Sequence, residues 1–377
     1  MTPDLTAQLT AWRRHLHAHP ELSRQEAGTA AFVAEKLTEL GIPHARNIGG
    51  HGVVGSLHRG ASNRCVGLRA DMDALPIQEA GGAAHASRSP GVMHACGHDG
   101  HTASLLGAAV LLRDDPGWSG TVQLIFQPAE EGFGGAQAML ADGLLQKFPC
   151  AQIFGYHNWP GLKAGSIMLH AGPVMAAAAS FSITLTGRAS HAAMPHLGAD
   201  PVQGLAHLIL ALNTIVARNT DPLDAAVIST CVLKAGEANN QIPGAASLGG
   251  TLRAFAPQVM APLQARLRDV AQHTAAAHEL RAEVEIHGHL PATCNHLASA
   301  ELAARAATQA GLTLHQGLAP SMAAEDFGRF LEEIPGAYAW IGNGPSAGLH
   351  HPGFDYNDDI LPIAARYLAA TAKAALA

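Results

Sequence analysis

Charge, aromatic side chains and cysteine are all scarce in this chain, and each shortage removes a class of protein. Only 14% of the 377 residues are charged and 5% are aromatic, while 48% are hydrophobic, with 40 glycines and 22 prolines. Such a composition can bury a sizeable core, which excludes a disordered chain and fits a compact α/β protein. Positive charge is the rarer sign: 23 Lys and Arg stand against 30 Asp and Glu, for a net charge of -7. No basic stripe is left for nucleic acid or for an anionic lipid surface. The five cysteines, Cys65, Cys96, Cys150, Cys231 and Cys294, are odd in number, scattered and never in a CxxC pair. Neither a disulfide framework nor a structural zinc knuckle is expected, and a reducing compartment fits. Long apolar runs are missing too, so no membrane span is expected. At the start, Leu5, Leu9, Trp12 and Leu16 interleave with Arg13, Arg14 and His15, as in an amphipathic helix rather than a signal peptide. The expectation is a cytoplasmic protein.

What is present is alternation. The chain is too long for one ordinary core of roughly 100–200 residues, so two domains are expected. A helical pattern through Phe32, Val33, Lys36, Leu37 and Leu40 stops at Gly41, which suits the left-handed position after a helix. Short apolar runs at 66–70, 121–126 and 151–156 read as strands, ending in Asp71 and Asp73, in Gln127 with the glutamates beyond it, and in His157. Helical stretches at 102–112 and 135–145 lie between them, which predicts a mainly parallel sheet with its ligand site at the carboxyl ends of the strands. From about Ser180 the pattern changes to strict alternation, Phe181, Ile183 and Leu185 against Ser182, Thr184 and Thr186. Helices at 201–218 and 257–278 with strands at 226–233 and 247–255 predict an α+β domain of two helices on an antiparallel sheet. Helix and strand resume after Pro291 with 300–310, 337–341 and a last helix from Leu361. The α+β part therefore reads as an insertion: 1–179 and 291–377 form the first domain, and 180–290 the second.

Two segments carry chemistry. MHACGHDGH supplies Cys96 and His98, and QPAEEG supplies Glu130 and Glu131, together the mixed sulfur, nitrogen and oxygen ligands of a divalent metal centre. With two adjacent carboxylates, one can bind metal while its neighbour moves a proton, which points to metal-assisted hydrolysis. The competing reading of Cys96 and His98 is a buried structural cysteine beside a satisfied histidine. Twenty-three histidines make any single one weak evidence, and His15, His17, His19, His44, His51 and His58 are read as surface or loop residues. His101, inside the helix that follows, is read as a packed residue supporting the site. Asp71 and Asp73 are candidates for orienting a ligand, against a turn-forming role or an ion pair with Arg69.

Taken in order, RRHLHAHPELS, RADMDALP, MHACGHDGH, FQPAEEG, GYHNWP, GRASHAAMPH, NNQIPG, GTLRAF, AEDF and LHHPGFDYND resemble the peptidase M20 family. The resemblance is to its amidohydrolase branch, which includes hippurate hydrolases and the hydrolases of auxin–amino acid conjugates. It implies a metallohydrolase domain with an inserted lid and dimerisation domain. It also implies two divalent ions, zinc or manganese, held by Cys96, His98, Glu131, His157 and His350, with Glu130 as general base and Asp73 at the catalytic centre. His191 would polarise the scissile carbonyl, in the same chain or across a homodimer, while Arg253 and Asn240 would hold a substrate carboxylate. Glu325 and Asp326 match a family segment as pocket-wall or supporting residues, and Gln241 departs from the apolar residue expected there. The implied reaction is hydrolysis of N-acyl-L-amino acids. A metallo-dipeptidase and an inactive binding protein on the same scaffold are the alternatives.

Overall fold

The computed structural model describes residues 2–132, 134–315 and 317–377. The chain divides into two compact units, one of Met1–Val174, Thr293–Ala319 and Asp326–Ala377, the other of Met175–Ala292 and Pro320–Glu325. Each has its own apolar cluster, as chains beyond a few hundred residues do when a single core stops growing.

The first unit is built on an eight-stranded sheet in the order His44–Ile48, Gly52–Arg59, Gly120–Gln127, Cys65–Asp71, Gln152–Pro160, Gly336–Gly344, Ser166–Met168, Thr313–His315. Its four central strands are mutually parallel, and an antiparallel pair closes one side. Central strands buried on both faces read as unbroken apolar runs, which is why 66–70 and 121–126 stand out in the sequence. Leu68, Leu124, Phe126 and Phe154 from the sheet pack with Leu105, Leu106 and Ala109 of helix His98–Asp114 and with Tyr367 and Leu368 of helix Leu361–Leu376. Pro3–Ala18 begins with a proline and is capped by Thr2, whose hydroxyl accepts the Leu5 N–H at 3.3 Å.

The second unit is a four-stranded antiparallel sheet, ordered Ala226–Ala235, Ala245–Ala254, Ala177–Thr186, Arg281–Leu290. Phe181, Ile183 and Leu185 are buried beneath helices Pro201–Asn219 and Pro257–Ala277, which contribute Leu205, Leu208, Leu212, Leu263 and Leu267. The mainly parallel sheet and the separate antiparallel one are the fold class expected from the sequence.

Three local expectations need correction. The strand Arg281–Leu290 was not anticipated, because Glu283, Glu285, His287 and His289 give it a polar face and leave only partly buried Val284 and Ile286 opposite. The helix expected over 135–145 is two, Gly135–Ala141 and Leu144–Lys147, broken where Gly143 takes φ 81°. His157 does not follow its strand but lies within it, since Gln152–Pro160 continues three residues beyond.

Candidate metal centre

Three parallel strands and one helix start converge on the cluster. Gly97 has φ 96°, a conformation that favours glycine, and a side chain there would collide with Asn158. That turn makes His98 the first helical residue and leaves Cys96 just outside. The metal-binding atoms of Cys96, His98 and His157 lie within 4.8 Å of one another, and so do those of Cys96, Glu131 and His350. Two triplets thus share Cys96. Cys96 Sγ is 3.4 Å from His157 Nε2, and Glu131 Oε1 is 3.1 Å from His350 Nε2. His350 sits at φ 61°, and its N–H is tied to the Ala95 carbonyl at 2.8 Å.

The histidine partners leave the right nitrogens for a cation. His157 Nδ1 donates to the Asn158 carbonyl at 2.7 Å, so its lone pair is on the Nε2 facing Cys96. His98 Nδ1 lies 3.2 Å from Asp73 Oδ1, and its buried Nε2 has no hydrogen-bond partner among the described residues. A carboxylate behind a ring nitrogen is the usual support of a metal-bound histidine. Burial pulls the His98 imidazole down, but Asp71, Asp73 and Glu131 outweigh it and push it up to about 10. An imidazole that must hold a proton among three carboxylates marks a place that wants positive charge. Burial, then Glu131 and Glu130, pushes the Cys96 thiol well up, and burial, then His101, holds His157 well down. A divalent cation relieves each of these penalties, since it favours thiolate and neutral imidazole. The residues present fit such a group.

Other sequence candidates divide cleanly. His101 is packed as expected, with Nδ1 2.6 Å from Asp71 and Nε2 2.7 Å from Asn158 Oδ1. Asp71 also pairs with Arg69 at 2.7 Å, the ion pair weighed above. Asp73 holds more than His98: its Oδ2 accepts the Ser23 hydroxyl at 2.6 Å and the Glu131 N–H at 2.9 Å. Glu130 is buried, and its Oε1 is approached by the Asp326 N–H at 3.4 Å. Asp326 is itself tied to Arg69 at 3.0 Å and Gln127 at 2.7 Å. In the second unit the two-residue strand Ser190–His191 pairs with Gln241–Ile242, and the Ala192 N–H donates to the Asn240 carbonyl, so His191 and Asn240 are neighbours. Both are exposed, as is Gln241. Arg253 is half-buried on Ala245–Ala254, and burial lowers its pKa.

The surface reading of His17 is wrong. It is fully buried, 2.8 Å from Asp99 and 3.4 Å from Glu79, beside a buried Arg13 that also pairs with Asp99 at 2.8 Å. Arg13 further binds Asp355 and Asp358. Neither Arg13 nor Asp99 was singled out, although both stand inside matched segments. Glu26 was missed as well; nothing in its immediate sequence marks it.

The chain matches the model of Peptidase family M20/M25/M40 over residues 67–374, and it belongs to that family. Among its relatives are the N-acetyl-L-cysteine deacetylase of Bacillus subtilis, 40% identical over 98% of this chain and 88% of the relative, and the hippurate hydrolase of Campylobacter jejuni, 39% identical over 97% and 96%. Among solved structures, the Bacillus subtilis YXEP protein, described as a dinuclear metal-binding peptidase of the M20 family, superposes with a TM-score of 0.88 at 34% identity, covering 100% of this chain and 99% of its own. Within the family the chain is an enzyme of the amidohydrolase branch.

Proposed function

We propose that the enzyme hydrolyses the amide bond of N-acyl-L-amino acids, releasing a carboxylic acid and an amino acid. The observation that carries this is the pair of ligand triplets sharing Cys96, with the buried carboxylate of Glu130 beside them, within 4.8 Å of the ligand atoms of His98 and Glu131. Cys96, His98 and His157 would hold one divalent ion, and Cys96, Glu131 and His350 the other; thiolate and imidazole suit zinc, and the carboxylate admits manganese. When bound, the ions supply Lewis acidity and a lowered water pKa. Glu130 takes a proton from the attacking water and delivers it to the leaving amine, and Asp73 keeps His98 in its ligating tautomer. From the second unit, acting as a lid, His191 polarises the scissile carbonyl, and Arg253 and Asn240 grip the substrate carboxylate. What supports the Arg253 role is a guanidinium that is half-buried and has no ion pair or side-chain hydrogen bond among the described residues. Such a group is a ready bidentate partner for a carboxylate.

The relatives deacylate N-acetylcysteine and hippurate, which favours an acyl-amino acid over a dipeptide. A panel of acetyl-, benzoyl-, long-acyl and indoleacyl-amino acids with a few dipeptides tests this: dipeptides turned over faster than every acyl-amino acid would reverse the assignment. Among the described residues no helix is long and apolar enough to cross a membrane, and the proposal is completed by a cytoplasmic homodimer joined through the lid. Mixing Glu130→Gln with His191→Ala chains then restores activity if His191 serves the partner's site. A stable mixed dimer without recovery removes that cross-chain role alone.

A further inference from the structure

Adjacent glutamates can serve different ends only if the backbone that carries them is fixed, because a change in its φ and ψ re-aims both side chains. The turn that carries Glu130 and Glu131 is held in an unfavourable shape: Ala129, just before them, has φ 55°, which alanine avoids. Its carbonyl accepts the Gly135 N–H at 3.1 Å, an approach open to glycine because a side chain there would strike the Pro128 carbonyl and so block it. Its amide is held from far away in sequence. Glu26 is fully buried, and its Oε1 accepts the Ala129 N–H at 2.7 Å and the Arg24 N–H at 3.0 Å.

Capping does not account for Glu26. It precedes helix Ala27–Glu39, yet its side chain makes no cap bond there. Early N–H groups of that helix go to Glu21 instead, from Gly28 at 3.0 Å and Thr29 at 2.7 Å. Nor is Glu26 well satisfied, since Oε2 is buried without a hydrogen-bond partner among the described residues. A buried carboxylate bonded at one oxygen is a poor stabiliser. On the far side of Glu130, the Glu131 N–H is held by Asp73. Two buried carboxylates therefore clamp the amides on either side of Glu130.

We infer that Glu26 is a positioning residue for Glu130: by gripping the Ala129 amide it holds the left-handed turn that aims the Glu130 carboxylate. This rests on the reading of Glu130 as the proton carrier. In the full-length, Mn2+-loaded enzyme with a benzoyl-amino acid, Glu26→Ala should lower kcat by about 10- to 100-fold, the scale of a misplaced catalytic group, with KM and metal content unchanged. Glu26→Gln, whose amide oxygen can accept the same N–H, should recover most of the loss. So should Ala129→Gly added to Glu26→Ala, because glycine takes positive φ freely. Placed on Glu130→Gln, Glu26→Ala should cause no further loss, and hydrogen exchange of the Ala129 amide in the metal-free protein should speed up. Should Glu26→Ala not fold, Glu26→Asp, one methylene too short to keep the bond, must show the same fall in kcat. Unchanged kcat, lost metal, or an added loss on Glu130→Gln overturns the role of Glu26 while leaving Glu130 as base. Full activity of Glu130→Gln overturns both.

Discussion

The motif residues of the two units are held in opposite ways. Around the metal centre, Asp73, His98, His101 and His157 are buried and almost every polar atom is engaged, often by a partner distant in sequence. In the second unit, His191 and Asn240 are exposed on a two-residue strand, and Arg253 waits half-buried. The first arrangement is preorganised: its side chains are locked before any ligand arrives, so altering one changes the chemistry or the metal. The second leaves its side chains accessible, and if they grip substrate as proposed, altering them should change affinity.

The largest effect expected of this contrast is on Glu130. Glu130→Gln should keep its metal and lose turnover by roughly 10²-fold or more, whereas Glu131→Gln should lose metal; parallel metal analysis and kinetics on both variants check it, and the opposite pattern would exchange their roles. Next comes Cys96→Ser, which removes the one soft ligand, shared by both triplets. Metal affinity should fall by about 10-fold or more, measured by chelator competition, and full metal content in the mutant would break the assignment.

Arg253→Ala sharpens the other side of the comparison. KM for N-acyl-amino acids should rise by about 10-fold or more, as expected when a charge-assisted bond of about 1.5–3 kcal/mol is lost, while N-acyl-amino amides, which lack the carboxylate, change little. Equal losses on both substrate types would remove Arg253 from the carboxylate site.

The smallest effect concerns His17. Burial pulls its imidazole down, but the bond to Asp99 outweighs this and raises its pKa above the ordinary 6.5. The stability it contributes is therefore complete below about pH 6.5 and is lost as pH rises through the raised folded value. His17→Gln should flatten that part of the pH dependence; urea midpoints of both proteins from pH 6 upward measure it, and identical slopes would refute it.

Local pattern was informative wherever the physics is local. Period-2 alternation placed Phe181, Ile183 and Leu185 inside, and continuous apolar runs marked the central parallel strands. Where apolar residues were weakly buried, as in Arg281–Leu290, the same reading failed. The types of ligand were also legible, since thiol, imidazole and carboxylate in short glycine-flanked segments suit few other purposes.

By itself, then, the sequence indicated the layers of each unit through periodicity and the candidate ligands Cys96, His98, Glu130 and Glu131 through side-chain chemistry, both properties of short segments, while the family was legible in the ordered motifs. Only the tertiary structure decided that His157 comes within reach of Cys96, that His17 is buried against Asp99, and that Glu26 grips the turn before Glu130. Those facts depend on pairs 61, 82 and 103 residues apart, and a hydrogen bond closed across such a distance leaves no periodic trace in either segment it joins.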